Sequence, residues 1–471
     1  MTKATSVLLE DELRQLDDYY GMIENDELDL DDLEMEILDF DAISLEDMYT
    51  GAKTVNEGEN DNIMERSTED IREVEIITKF VEDTLCRDNN VAIMRNINMP
   101  DETKTEKLKQ AINHLEEANI QRKFYNDIRK DASVALTQAK QLEQKPGIRV
   151  FSIDYAQNIH YPSSEMQVGP AFFKTARKCG IFGINDEADN TQTNYLIDEC
   201  DNIGKGANSV INLIHHHLES NNCDQDNQHI CADNCVGQNK NNAVVHYCAW
   251  RVASELNKTV HLNFLLVGHT KFSPDRMFGL LKQKFSKSTV DTLHDIEECV
   301  ANSTVSGKNK AICTNDYVNG IINVQWYEWN AFLSEFFTTI PGITQYHHFI
   351  IKSDDPFTVE CKVLANNPVQ KFNIVKKGVT LDDITGMPNL LVPPGLSLAR
   401  QWYLFEEIAP LCTSKDAANL TCPKPQKAKP TSQMAKVDQP GPSAKKTRKV
   451  TTCGHCKEPG HTIRSCKQNK K

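Results

Sequence analysis

The run from Ile230 to Asn242 reads Ile-Cys-Ala-Asp-Asn-Cys-Val-Gly-Gln-Asn-Lys-Asn-Asn, and it constrains the fold more than any other stretch. A short apolar segment beginning at His229 ends in Asp233. A glycine and a polar knot follow, and a helical pattern opens at Ala243. This is the order of a buried strand that hands a carboxylate to the C-terminal edge of a sheet before the chain turns into a helix. Open α/β sheets keep their sites at that edge. The stretch therefore predicts an α/β fold and raises the question of which other acids arrive beside Asp233.

The flanking sequence supplies the rest of a sheet. Val150 to Asp154 reads as a strand ending in an acid. Ala171 to Gly183 and Asn194 to Ile197 are two further strands, interrupted by charges and glycines. Gly204-Lys205-Gly206-Ala207 opens a helix that runs to Leu218. His229 to Asp233 is the fourth strand, and Ala243 to Leu256 is a helix with Val244, Val245, Cys248, Ala249, Val252 and Leu256 on its inner face. His261 to Val267 is the fifth strand, and Pro274 and Asp275 begin a helix through Met277, Phe278, Leu280 and Leu281. Three strands in succession suit an antiparallel meander, and the later strand–helix–strand units suit parallel additions.

That order resembles the ribonuclease H-like fold of DDE-type transposases and integrases. The resemblance implies a mixed sheet flanked by helices, with Asp154, Asp233 and Asp275 as its three carboxylates. Acids that converge on one edge repel unless divalent cations lie between them. Two Mg²⁺ or Mn²⁺ ions in such a site activate an attacking water or 3′-hydroxyl and stabilise the leaving oxygen of a phosphodiester. The bland alternative is three strand-end or helix-capping aspartates, and Asp275 at a helix start suits capping.

A second resemblance is to a transposon-derived, transposase-like domain family found in many animal genomes. It rests on Ser152-Ile153-Asp154-Tyr155-Ala156-Gln157-Asn158, Glu199 with Gly204-Lys205-Gly206-Ala207-Asn208-Ser209-Val210, Asp233-Asn234-Cys235-Val236-Gly237-Gln238-Asn239-Lys240-Asn241, Phe264-Leu265-Leu266-Val267-Gly268-His269-Thr270, and Asp275-Arg276-Met277-Phe278-Gly279. It covers roughly residues 149–300 and, more weakly, the chain to about 412. Relatives of this kind carry a basic, cysteine-containing region upstream, where this chain has an acidic one.

Charge divides the rest. The net charge of -15 hides an acidic head and a basic tail. Residues 1–70 carry about -19, which opposes a compact core and predicts a disordered segment, either solubilising or docked on a protein partner. Residues 71–147 read as helical, with Leu108, Ala111, Ile112, Leu115 and Ala118 on one stripe that Phe124, Tyr125 and Ile128 continue, until Pro146-Gly147 stops it. Such a helix packs on the body or pairs with a second copy of the chain. The ribonuclease H-like region spans 148–300, and a C-terminal extension, 301–422, packs on it. Trp326, Trp329, Phe332, Phe336 and Phe337 in that extension read as core rather than as a base-stacking platform.

Residues 423–450 form a flexible basic linker, and 451–471 a zinc knuckle. Residues 423–471 hold 13 Lys and Arg against 2 acids. Cys453-x2-Cys456-x4-His461-x4-Cys466 has the pattern of a retroviral-type CCHC knuckle, with thiolates and one imidazole set for tetrahedral Zn²⁺. Metal binding is the folding energy of a segment this short. Such knuckles bind single-stranded DNA or RNA. His455 and Ile463 are the candidates for base contact, and Lys457, Arg464 and Lys467 for phosphate; Gly454 replaces the aromatic that usually follows the first cysteine. Lys445-Lys446-Thr447-Arg448-Lys449 is a nuclear localisation signal or a phosphate patch.

Smaller features complete the expectations. The 15 cysteines are an odd number, which favours metal ligands and buried thiols in a reducing compartment. Cys223, His229, Cys231 and Cys235 read as buried thiols and a structural histidine rather than as a second zinc site. The run His215-His216-His217 fans too widely around a helix to face one metal. His269 is a phosphate-orienting group or a structural histidine. No apolar run approaches the ~20 residues of a membrane span. The combined reading is a nuclear, nucleic-acid-binding DDE-type transposase or integrase-like nuclease. The second reading is an inactive domesticated relative that acts by binding, and a third is another two-metal hydrolase using His160 and His269.

Overall fold

A computed structural model describes residues 100–165, 173–223, 225–266, 273–317, 319–384 and 386–429. The acidic head, the basic run 445–449, His269 and the knuckle lie outside the described residues. The chain runs α1 (Asp101–Leu142), β1 (Ile148–Tyr155), β2 (Ile159–Tyr161), β3 (Arg177–Asp186), β4 (Thr191–Asp198), α2 (Ala207–Ser220), β5 (Asn227–Ala232), α3 (Asn242–Ala253), β6 (Thr259–Phe264), α4 (Ser273–Ser286), α5 (Leu293–Ala301), β7 (Asn309–Cys313), a small hairpin of β8 (Asn315–Asp316) and β9 (Ile321–Ile322), α6 (Trp329–Phe336), β10 (His348–Lys352), β11 (Asp355–Lys362) and β12 (Gln370–Asn373), followed by short helices.

One mixed sheet organises these elements, in the order β12-β11-β10-β6-β5-β1-β3-β4-β7, with β2 paired to β3. β1, β3 and β4 form the antiparallel meander expected from the sequence, and β5 and β6 add in parallel beside β1. The protein is thus α/β, with a large sheet flanked by helices. The segment after residue 300 joins the same sheet at both edges: β7 runs parallel to β4, and β10, β11 and β12 continue antiparallel beyond β6.

Strand alternation sorts the two faces. Phe151 and Ile153 of β1 point into the main core with Phe182, Ile184, Ile230 and Ala232, where α2, α3 and α6 close over them. Trp326, Trp329 and Phe337 belong to this core, 3%, 0% and 3% exposed, as expected of a packing cluster. Val150 and Cys231 point to the other face and pack with Tyr125, Ile128 and Ala132 of α1. On the same face Phe278 and Leu281 of α4 pack with Cys179 and Ile181 of β3.

Polar contacts fix α1 to the sheet. The Tyr125 hydroxyl donates to Glu187 Oε1 at 2.6 Å, and Arg129 Nε lies 2.7 Å from Glu187 Oε2, so a carboxylate with no exposed side-chain surface is paired. Gln121 Oε1 lies 2.6 Å from His348 Nε2.

Several element boundaries differ from the sequence expectation, two of them for a visible packing reason. The second strand runs to Asp186 rather than Gly183, because Gly183 is an interior strand position used for close packing. A Cβ there would lie 2.7 Å from Phe278 Cζ and 2.9 Å from Gln192 Nε2. The fifth strand ends at Phe264, three residues early, and the apolar run continues because Leu265 packs with α1 residues Tyr125 and Ile128, and Leu266 with Ala118. Gly183→Ala is expected to push α4 off β3 and cost about 1–3 kcal/mol by overpacking. Chemical denaturation measures this, and unchanged stability would contradict the close fit of Phe278.

Candidate carboxylate site at the sheet edge

The register of two parallel strands builds the site. Ile153 of β1 stands opposite Ala232 of β5, so Asp154 and Asp233 occupy the next positions on neighbouring strands, which run about 4.8 Å apart. Alternation from Val150 and Cys231 points both side chains to the face that carries α1 and α4. On the other side of β1, Asp154 pairs with Gly183. Phe278 of α4 rests on that glycine, and Asp275 lies three residues earlier on the same helix face. Asp154 and Asp233 are partly buried, and Asp275 is exposed.

The acids sense one another. Burial, then the charge of Asp275, then that of Asp233 raise the Asp154 pKa to about 7, against smaller opposing effects of the Tyr155 amide and Lys205. The structure therefore brings Asp233 and Asp275 each within electrostatic reach of Asp154. Other acids at this end of the sheet are neutralised differently. Arg177 holds Asp198 in a two-pronged ion pair at 2.9 and 2.7 Å, and Arg400 holds Glu199 likewise at 2.8 and 2.9 Å. Burial alone would raise Asp198, but the Arg177 guanidinium more than offsets it and keeps the pKa below its ordinary value.

The polar knot after β5 holds Asp233 in place. Asp233 Oδ1 accepts from Asn239 Nδ2 at 2.6 Å and from the Cys235 amide at 3.1 Å. Lys240 Nζ donates to Asn234 Oδ1 at 2.9 Å, and Asn234 Nδ2 donates to the Leu265 carbonyl. Asn241 caps α3 by accepting from the Val244 amide at 3.2 Å, and Asn242 Oδ1 accepts from the Ile340 amide at 2.8 Å. Burial lowers the Lys240 pKa to about 8. Most polar side chains of the string therefore shape the loop, and one oxygen of Asp233 accepts no hydrogen bond among the described residues.

Three hard oxygen donors suit Mg²⁺ or Mn²⁺ rather than a soft metal. Asp154 Oδ1 accepts from the Tyr155 amide at 2.7 Å, while the second oxygen of Asp154 and of Asp233 accepts no hydrogen bond among the described residues. Two neighbouring carboxylates thus keep an oxygen each for a cation. As the side chains stand, no group of three or more His, Cys, Asp or Glu among the described residues is spaced to hold an ion.

Sequence reasoning missed Lys205. Its Nζ donates to the Ala156 carbonyl at 3.2 Å and lies 4.9 Å from the Tyr155 ring centre, within electrostatic reach of Asp154. The Gly-Lys-Gly triplet ahead of α2 was the available signal.

Other candidates fall elsewhere. His160 pairs with Lys178, five residues along β3 from Gly183, and so stands about 16 Å from the Asp154 position at strand rise. Cys223 packs in the α2–α3 core and Cys231 against α1, on opposite faces of the sheet, so these thiols do not share one site. His215 packs on Trp329 at 4.9 Å, His216 Nδ1 lies 2.9 Å from the Tyr195 hydroxyl, and His217 meets Phe151 edge-on at 5.0 Å. The three histidines point to three environments, as their spacing predicts.

The fold and site define an α/β protein whose parallel strands deliver acids to one edge of a large mixed sheet. A family model described as a domain of unknown function, DUF7869, matches residues 178–367. The match includes Lys205, Asp233 and Asp275 and begins after β1, so Asp154 lies outside it. No curated protein and no solved structure matches the chain.

The raised Asp154 pKa has a definite sign. The folded state keeps a proton that the unfolded chain releases near the ordinary value of 3.8, so stability falls as pH rises from about 4 through about 7. Asp154→Asn removes this penalty. The variant is expected to be about 1–3 kcal/mol more stable than the parent at pH 8, a range reduced for the partial exposure of the group, with the difference vanishing near pH 4. Denaturation at a series of pH values measures it. A variant less stable than the parent at pH 8 would contradict the raised pKa.

Proposed function

We propose that the protein is a DDE-type, transposase- or integrase-like nuclease on a ribonuclease H-like sheet, with Asp154, Asp233 and Asp275 as ligands for Mg²⁺ or Mn²⁺. The observation that carries this reading is the adjacent register of Asp154 and Asp233 on parallel strands, with Asp275 in electrostatic reach. The strand order β4-β3-β1-β5-β6, a meander followed by two parallel additions, supports it as well.

The residues divide the work. Asp233, fixed by Asn239 and the Cys235 amide, is the rigid ligand. Asp154, whose pKa burial and its acidic neighbours raise to about 7, would give any proton it holds to solvent on taking a divalent ion. Asp275, exposed on the first turn of α4, closes the set from the flank. A bound divalent ion would supply an activated water or 3′-hydroxyl and neutralise charge on the leaving oxygen.

The tail completes the proposal. Cys453, Cys456, His461 and Cys466 hold Zn²⁺, and the knuckle with its basic linker holds DNA, or single-stranded DNA or RNA, in a nuclear setting. The acidic head docks a protein partner, and α1 offers a surface for a second copy of the chain. No helix among the described residues is long and apolar enough to cross a membrane.

One observation favours a second reading, that of an inactive relative which binds nucleic acid: the described acids do not stand at ligand spacing. The two readings separate in one assay. Full-length protein with Mg²⁺ or Mn²⁺ is expected to cut or join labelled DNA, and Asp233→Asn to lower the rate by more than about 10²-fold. Equal rates in the variant, or no metal-dependent reaction in the parent, would leave only the binding reading.

A further inference from the structure

Lys205 is held more tightly than a surface lysine needs to be. The Gly204 amide donates to Asn202 Oδ1 at 2.8 Å, and Gly204 adopts a left-handed φ of 97°, which turns the chain back toward β1. Lys205 Nζ then meets the Ala156 carbonyl at 3.2 Å and the Tyr155 ring at 4.9 Å. Tyr155 is itself pinned, its hydroxyl 2.9 Å from Ser209 Oγ in the first turn of α2. The next residue, Gly206, lies against the Asp233 loop: a Cβ there would come within 3.8 Å of the Gly237 carbonyl. The ammonium is therefore fixed on the end of the strand that carries Asp154, and the backbone next to Lys205 meets the loop that carries Asp233.

The Lys205 side chain is half-buried and forms no ion pair among the described residues. Burial lowers its pKa, and the Asp154 charge opposes that. Withdrawing a cation from water is costly unless an anion meets it. An ammonium has three donors, and the Ala156 carbonyl takes one. A cation already ordered by a carbonyl and an aromatic face loses little freedom when it binds.

We propose that Lys205 binds a non-bridging phosphate oxygen of the nucleic-acid strand at the Asp154–Asp233 edge and holds that strand against the acids. The proposal rests on the reading of this edge as a phosphodiester site. It assigns Lys205 a contact that does not require a metal, so it can be tested apart from cleavage.

The test is binding of a labelled DNA duplex by the full-length, zinc-loaded protein without added Mg²⁺ or Mn²⁺, followed by fluorescence anisotropy between roughly 50 and 200 mM salt. Loss of one phosphate contact in Lys205→Met should make the slope of log K against log salt shallower by about 0.9. Lys205→Arg should keep the parental slope, and the tail contributes equally to every variant. A purely structural lysine would lower the melting temperature of Lys205→Met and leave the slope alone, which would overturn the proposal. A shallower slope together with a parent that cuts no DNA would uphold the Lys205 contact while the nuclease reading fails.

Discussion

The parallel pairing of β1 with β5 is the constraint on which the rest depends. Its register aligns Ile153 with Ala232 and so leaves Asp154 and Asp233 side by side just past the last paired residues. Shifting either strand by one residue would send its aspartate to the opposite face, into the core with Ile230 and Ala232. The register is secured on both faces at once, by Phe151, Ile153, Ile230 and Ala232 in the main core and by Val150 and Cys231 under α1. Stability and site geometry therefore have the same origin.

Around that pairing, the edge places charge selectively. Asp198 and Glu199, at the end of β4, are each clamped by an arginine and serve as struts. Asp154 has no such partner and is pushed toward the neutral form by burial and by its two acidic neighbours. A fold that neutralises two of its edge carboxylates with guanidinium groups, and leaves two neighbouring ones with an oxygen each that accepts no hydrogen bond among the described residues, separates structural acids from available ones. The difference lies in partners rather than in residue type, since all are ordinary Asp or Glu.

Much of this was legible in the chain because it depends on local pattern. Apolar runs ending in acids marked β1 and β5, and the meander followed by strand–helix–strand units set the sheet order around them. The string after Asp233 was recognisable as special, but its use was not. Asn239, Lys240 and Asn241 make contacts within the loop and to the end of β6 that only the folded chain displays. Lys205 was missed for the same reason: a lysine between glycines carries no periodic signal, and its place at the end of β1 arises from a turn at Gly204 and a ring at Tyr155. The strands β7 and β10–β12 were assigned to a packed extension. Their membership of the same sheet is a long-range pairing with β4 and β6 that sequence periodicity does not encode.

The central claim is that the edge formed by Asp154 and Asp233 takes a divalent cation. Anomalous diffraction from crystals of the protein soaked in Mn²⁺ tests it most directly. A peak within about 2.5 Å of carboxylate oxygens of both residues, with Asp275 drawn toward it, is the expected result. Crystals that take up Mn²⁺ elsewhere while this edge shows no peak, with Asp154 and Asp233 unmoved, would contradict it.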